Sequence, residues 1–393
     1  MKRVLSSLLA FFSSYGLACA LLLNLFLLTL FGTLYQVHEG LYFAQKRYFE
    51  SWIVVQSSPV PLVMLGGLTC MGLLAVNLFL GGLVRIRKSW QTAGVIVVHI
   101  GIALLLAAGF VKLRFSDDGH LTLSEGERSD EYVSYYLWEV AIWDAGQTGP
   151  VDELLIPHEE LVDLVDGKTR TFTSSALPFE VEMGNYLSNC QALPKGPNWQ
   201  AASPVIDGYA LLAVPPEKDA EHNTAGIVAR FREPSSGREA RTLLFGMERA
   251  PATFDAGGKT WAVTLRHKRY SMPFGIELAD FRKEDHPGMT MARSFESDVV
   301  KYEDGSEQKV RIQMNEPLRH DGLVLFQASW GPENAGPGDR LFSIFAVVRN
   351  PSDQWPTWAC GVIAFGLFLV FAPKLVRFAN RQRRERAKLQ AES

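Results

Sequence analysis

Long apolar runs alternate with charged stretches along this chain, and the two kinds of segment have different periods. Residues 4–37, 51–84, 89–111 and 354–373 contain no Asp, Glu, Lys or Arg. Each of these windows holds the ~20 mainly apolar residues that cross a ~30 Å hydrocarbon layer as a helix. The pattern predicts spans near 15–36, 60–83, 91–111 and 355–373. In the connection 37–58, Leu41, Ala44, Tyr48, Phe49 and Trp52 recur at helical spacing. This predicts a short helix lying in the interface, with its aromatic residues at the headgroup level and Gln45, Lys46 and Arg47 in water.

Beyond Phe115 the period falls to two. Short runs such as HLTLSEGE, EVAIWDAG, PFEVEMGNY, KTWAVTLRHKRY and LVLFQASW are rich in Thr, Val, Ile and aromatics and are separated by turn residues. They predict an antiparallel, mainly β domain, as one sandwich or two small ones. The Pro- and Gly-richer stretch 189–222 reads as a long insertion or a junction between subdomains. The expected fold class is therefore an integral membrane α-helical protein with four transmembrane helices, three N-terminal and one C-terminal, plus a large extracytoplasmic mainly-β domain. The boundaries expected are 1–36 for the N-terminus and first span and 37–58 for the outer loop. The second span and its inner loop follow at 59–88, the third span at 89–111 and the β-rich domain at 112–353. The fourth span is 354–373 and a basic tail 374–393.

Charge sets the orientation. Lys2, Arg3, Arg85, Arg87, Lys88, Lys374, Arg377, Arg381, Arg383, Arg384, Arg386 and Lys388 all fall on one face of a four-span layout. The positive-inside rule makes that face cytoplasmic, with both termini on it. Lys112 and Arg114 flank the third span on the opposite side, too few to reverse the assignment. A cleaved signal peptide is the competing reading of the N-terminal Lys-Arg and apolar run. The length of the run and the lack of a clean small-x-small cleavage site argue against it. The segment 112–353 carries 38 acidic and 25 basic residues, a net charge of −13, so nucleic acid is not an expected partner. The basic tail can touch anionic membrane lipid.

The cysteines are Cys19, Cys70, Cys190 and Cys360, with three in predicted spans and no Cys-x-x-Cys among them. Thiol-disulfide exchange by this chain alone is not expected, and no role follows for Cys190. No Gly-x-Ser-x-Gly, P-loop or dinucleotide fingerprint occurs, so no self-contained catalytic site is expected. Within the spans, cysteine aside, His99 is the one side chain that titrates near neutral pH, and it sits near the middle of the third. An imidazole at that depth is costly unless it is paired, hydrogen-bonded or ligated. Two readings stay open: a haem-iron ligand, or a histidine bonded to a neighbouring helix. His38, just outside the first span, is a second candidate ligand, against the plainer reading of a solvated surface histidine.

Four segments resemble the ResB family, the CcsB-type component of System II cytochrome c biogenesis. They are FGTLYQVHEGLYFAQKRYFESW at 31–52, HIGIALLLAAGFVKLRFSDDGHLTLSEGE at 99–127, FGIELADFRKEDHPGMTMARSFESDV at 274–299, and the stretch 314–356 that opens MNEPLRHDGLVLFQASW. The resemblance implies the layout derived above. It also implies a multi-span partner of the CcsA or ResC type, with which the chain conveys haem b across the cell inner membrane and presents it to apocytochrome c. A thioredoxin-like thiol reductant and an outer, periplasmic domain are implied with it. The family's third-helix histidine, held to ligate haem, maps onto His99. The partner's tryptophan-rich haem signature is missing from this chain, so the partner is expected to supply the second axial ligand. Gln327, Ser329 and Trp330 are candidates for contact with apocytochrome, against the plainer reading of a buried strand with a packed Trp. Pro317 and Arg319 are expected to shape the turn before that strand. The alternative function is a scaffold or chaperone for apocytochrome or for the partner that never ligates haem.

Overall fold

The computed structural model describes every residue except 1, 57–60, 197–203, 287–291, 333–339 and 393. It divides into a helical unit, residues 1–116 with 350–393, and a strand unit, 117–349.

The helical unit contains α1 (Lys2–Phe12), α2 (Tyr15–Glu39), α3 (Leu41–Ala44), α4 (Gly67–Asn77), α5 (Trp90–Phe115) and α6 (Trp355–Glu392). Tyr15–Glu39, Gly67–Val84, Trp90–Phe115 and Trp355–Arg384 are long and apolar enough to cross a membrane. Ser14 separates α1 from α2: its hydroxyl accepts a bond from Leu17 N at 3.2 Å, capping α2. Gly40 ends α2 with φ of 88°, a conformation that favours glycine. Lys112 and Arg114, the two cations after the third charge-free window, lie in the last turn of α5 and complement the negative end of its dipole.

Two expectations for this unit need correction. The apolar window 51–84 is not one span with a polar lead-in. Its first part is an antiparallel hairpin, β1 (Ile53–Gln56) with β2 (Leu62–Leu65), in which Ile53 faces Leu65 and Val55 faces Val63. β-branched Ile53, Val54, Val55 and Val63 favour strand, and Pro61 opposes a helix through it. The second span therefore starts at Gly67, not near 60. The connection 37–58 is also more than an interfacial helix. Tyr48, expected among the headgroups, is wholly buried in a π-helical turn, Gln45–Phe49. It packs with Leu28, Val54 and Met64 and donates its hydroxyl proton to Gln56 Oε1. Gln45, Lys46 and Arg47 are exposed as expected.

Helices α5 and α6 run antiparallel along a seam of small residues. Gly94 meets Gly366, Gly101 meets Ala359 and Ile363, and Ser352 Oγ donates to Ala108 O at 2.9 Å. Small side chains let the backbones approach and replace burial of large groups as the source of contact in lipid.

The strand unit is antiparallel throughout, as its alternation predicts. Its ten-stranded sheet runs in the order Ser306–Gln313, Ala292–Glu303, Lys259–Asp285, Arg128–Asp144, Asp117–Ser124, Phe342–Arg349, Leu323–Gly331 and Leu318–His320, with Ala252–Ala256 and Leu154–Ile156 as side branches. A four-stranded sheet orders Glu239–Phe245, Gly226–Arg232, Glu180–Leu187 and Thr169–Phe172. Two cores follow. One packs Trp138, Val140, Phe179, Ile227, Phe231 and Val263. The other packs Leu123, Tyr132, Ile276, Leu325, Phe345 and Val347, and each such aliphatic or aromatic side chain contributes about 1.5–3 kcal/mol on burial. Within 189–222, the described residues form a hairpin, Cys190–Pro194 with Tyr209–Ala213.

Candidate functional site

His99 lies in α5, nine residues after Trp90 and sixteen before Phe115. It is thus about 14 Å along the axis from the start of the helix, nearer that end than the charge-free window implied. Its Nδ1 is 2.7 Å from Val95 O, one turn earlier. An imidazole nitrogen facing a carbonyl must be the donor, which assigns the proton to Nδ1 and leaves the Nε2 lone pair. Among the described residues no hydrogen bond occupies Nε2. The ring is half-buried and rests on Gly82, in the π-helical turn Leu78–Val84 that continues α4.

Neighbouring polar groups hold that turn in place. Asn77 Nδ2 donates to Phe12 O at 2.7 Å and to Ser14 O at 3.0 Å, satisfying carbonyls at the break between α1 and α2. Arg85 reaches Ser13 Oγ. Asn24, also inside a span, binds both the N–H and the carbonyl of Leu65 with its amide, at 3.2 and 2.9 Å. Sequence reasoning passed over these two asparagines and the Gly81–Gly82 pair. The available signal was an amide inside a charge-free window, which demands a partner in lipid.

With its Nδ1 bonded to Val95 O, the His99 ring could offer Nε2 to a metal such as a haem iron. Among the described residues no group of three or more His, Cys, Asp or Glu could hold a bare metal ion. His38 is placed in the last turn of α2 and is exposed, and no hydrogen bond or ring contact among the described residues joins it to His99.

In the strand unit, Gln327 is internal rather than presented. Its Oε1 accepts from Ser297 Oγ at 2.6 Å, and its Nε2 donates to Ser343 Oγ at 2.7 Å and Ser329 O at 3.1 Å. Trp330 stacks on Phe281, and Lys283 Nζ lies 4.4 Å from the Trp330 ring centre. Ser329 is exposed. Pro317 lies just before the short strand Leu318–His320, and the Arg319 guanidinium lies 6.0 Å from the Phe326 ring centre.

A second histidine group went unnoticed in the sequence. His267 lies 3.9 Å from Trp138, and His120 lies 5.1 Å from Tyr135, measured between ring centres. Between Tyr135 and Trp138 the long strand Arg128–Asp144 bulges, and the Ser134 hydroxyl accepts from the N–H groups of Tyr136 and Leu137 at 3.3 and 3.2 Å. Burial, with a smaller repulsion from His120, pushes His267 down to about 4. Burial also lowers His120, against the attraction of Glu221. Nδ1 of each ring is buried without a hydrogen-bond partner among the described residues.

Residues 244–337 match the ResB-like family. The match takes in the resembling segment 274–299 and the first part of 314–356, while 31–52 and 99–127, including His99, lie outside it. No curated protein matches the chain.

Proposed function

We propose, with support from the match of residues 244–337 to the ResB-like family, that this chain acts in cytochrome c biogenesis as the ResB-like half of a System II cytochrome c synthase. It would help to move haem b across the cell inner membrane and present it for covalent attachment to apocytochrome c. His99 is the ligand toward the haem iron, and the observation that carries the reading is its Nδ1–H bond to Val95 O, which leaves Nε2 for the metal. Bound there, haem would bring the vinyl groups that accept cytochrome thiols. This chain's own part is to hold the iron's axial position and shield the ring among apolar helices.

His99 would hold the haem iron from this chain, and a CcsA or ResC-type membrane protein that carries the tryptophan-rich haem motif would supply the other ligand. A thioredoxin-like reductant keeps the apocytochrome thiols reduced. His38, at the end of α2, is a secondary candidate for contact with haem leaving the helices. By the positive-inside rule, the twelve cations on one face support an orientation with both termini in the cytoplasm and the strand unit in the periplasm.

The test is the haem absorbance of the purified complex. His99→Ala is expected to weaken it and added imidazole to restore it. Haem content and cytochrome maturation that survive the substitution unchanged would instead favour the scaffold or chaperone role.

A further inference from the structure

The seat of His99 is as specific as its hydrogen bond. A Cβ built on Gly82 would overlap Cδ2 of the His99 ring and stand 2.8 Å from its Cγ and 2.9 Å from its Nε2. The imidazole thus fills the space that any other residue at 82 would need. The neighbouring glycine, Gly81, faces a different partner: its Cβ would lie 3.2 Å from Ser13 O. Gly72, on the same span, has nothing within 4 Å. Gly67, at the start of this span, meets the Phe49 backbone instead, so of these glycines it is the one at 82 that abuts the histidine ring.

The backbone supports the same conclusion. Residues 78–84 form a π-helical turn that follows regular α-helix, and such turns are rare and concentrate at functional sites. Asn77 at its start and Arg85 at its end are both tied to the break between α1 and α2. The turn cannot slide freely beneath the ring.

We infer that Gly82 is a positioning residue for His99. Val95 O fixes which nitrogen carries the proton, and the bare backbone at 82 fixes where the other nitrogen points. A side chain at 82 forces the ring to rotate away, which breaks the Nδ1 bond to Val95 O and frees the tautomer. With no Cβ at 82, the Nε2 edge stays in one orientation, as a metal ligand would need. The inference rests on the proposed haem reading only where haem is measured.

The experiment compares Gly82→Ala, Gly72→Ala, His99→Ala and the double variant Gly82→Ala/His99→Ala, each as the full chain purified in detergent. Without haem, Gly82→Ala should shift the His99 imidazole nitrogen resonances and lower the melting temperature, while Gly72→Ala does neither. In the His99→Ala background the space is vacant, so adding alanine at 82 should cost no further melting temperature. Should Gly82→Ala alone fail to accumulate, recovery by His99→Ala counts as the same result. In the partner complex, Gly82→Ala should weaken haem retention by about tenfold or more, the usual effect of losing a group that orients a ligating histidine. Equal melting-temperature losses in both backgrounds, or unchanged imidazole resonances, would overturn the role of Gly82. Haem retention unaffected by His99→Ala would overturn the haem reading instead, and would leave the coupling between 82 and 99 standing.

Discussion

At the scale of single residues, what matters is where each imidazole's two nitrogens are satisfied. His99 stood out in the sequence because it is the one histidine inside the four charge-free windows. Its glycine seat did not, because contact between residues 82 and 99 depends on how two helices pack. His120 and His267 were also silent, since each sits in an alternating run that any solvated strand would show. Their burial has a pH consequence. The His267 pKa is depressed to about 4 in the folded chain, against about 6.5 when unfolded. The unfolded chain therefore takes up the proton first, and stability falls as pH drops from about 6.5 toward 4. Melting temperatures of the full chain measured across that window should decline, and His267→Phe should flatten the slope. An unchanged slope in that variant would show that the imidazole packed against Trp138 is not the titrating group.

Among elements, packing decided what propensity left open. The hairpin at 53–65 and the span that follows it share one charge-free window, and hydropathy cannot divide them. Pairing of Val55 with Val63 and the clamp of Asn24 on Leu65 do. The seam between α5 and α6 makes a sharper prediction. A Cβ on Gly366 would lie 2.7 Å from Val98 N and 2.9 Å from Gly94 O, both backbone atoms that no rotamer change can move. Gly366→Leu is expected to destabilise the helical unit by about 1–3 kcal/mol, the usual cost of overpacking. Thermal unfolding in detergent measures it. Gly361→Leu on the same helix, where nothing lies within 4 Å, should be near neutral.

For the whole molecule, hydropathy and charge carried the main division. Four apolar helices and one mainly-β unit were legible because burial in lipid and half-burial in a sheet impose different periods. Sidedness is open to direct test. A reporter active only in the cytoplasm should work when fused after Ser393 and fail when inserted in the turn at Asp166–Gly167. The reverse result would invert the orientation read from Lys and Arg. By itself the sequence determined the number of apolar segments, the β character of the strand unit and the one histidine inside a charge-free window, all consequences of local composition. Only the tertiary structure decided that Ile53–Gln56 pairs with Leu62–Leu65 and that Gln327 is bonded internally. It alone seated His99 on Gly82 with its Nδ1–H donated to Val95 O. Those outcomes depend on atoms far apart in the chain meeting within a few ångströms, which a one-dimensional pattern of polar and apolar residues does not encode.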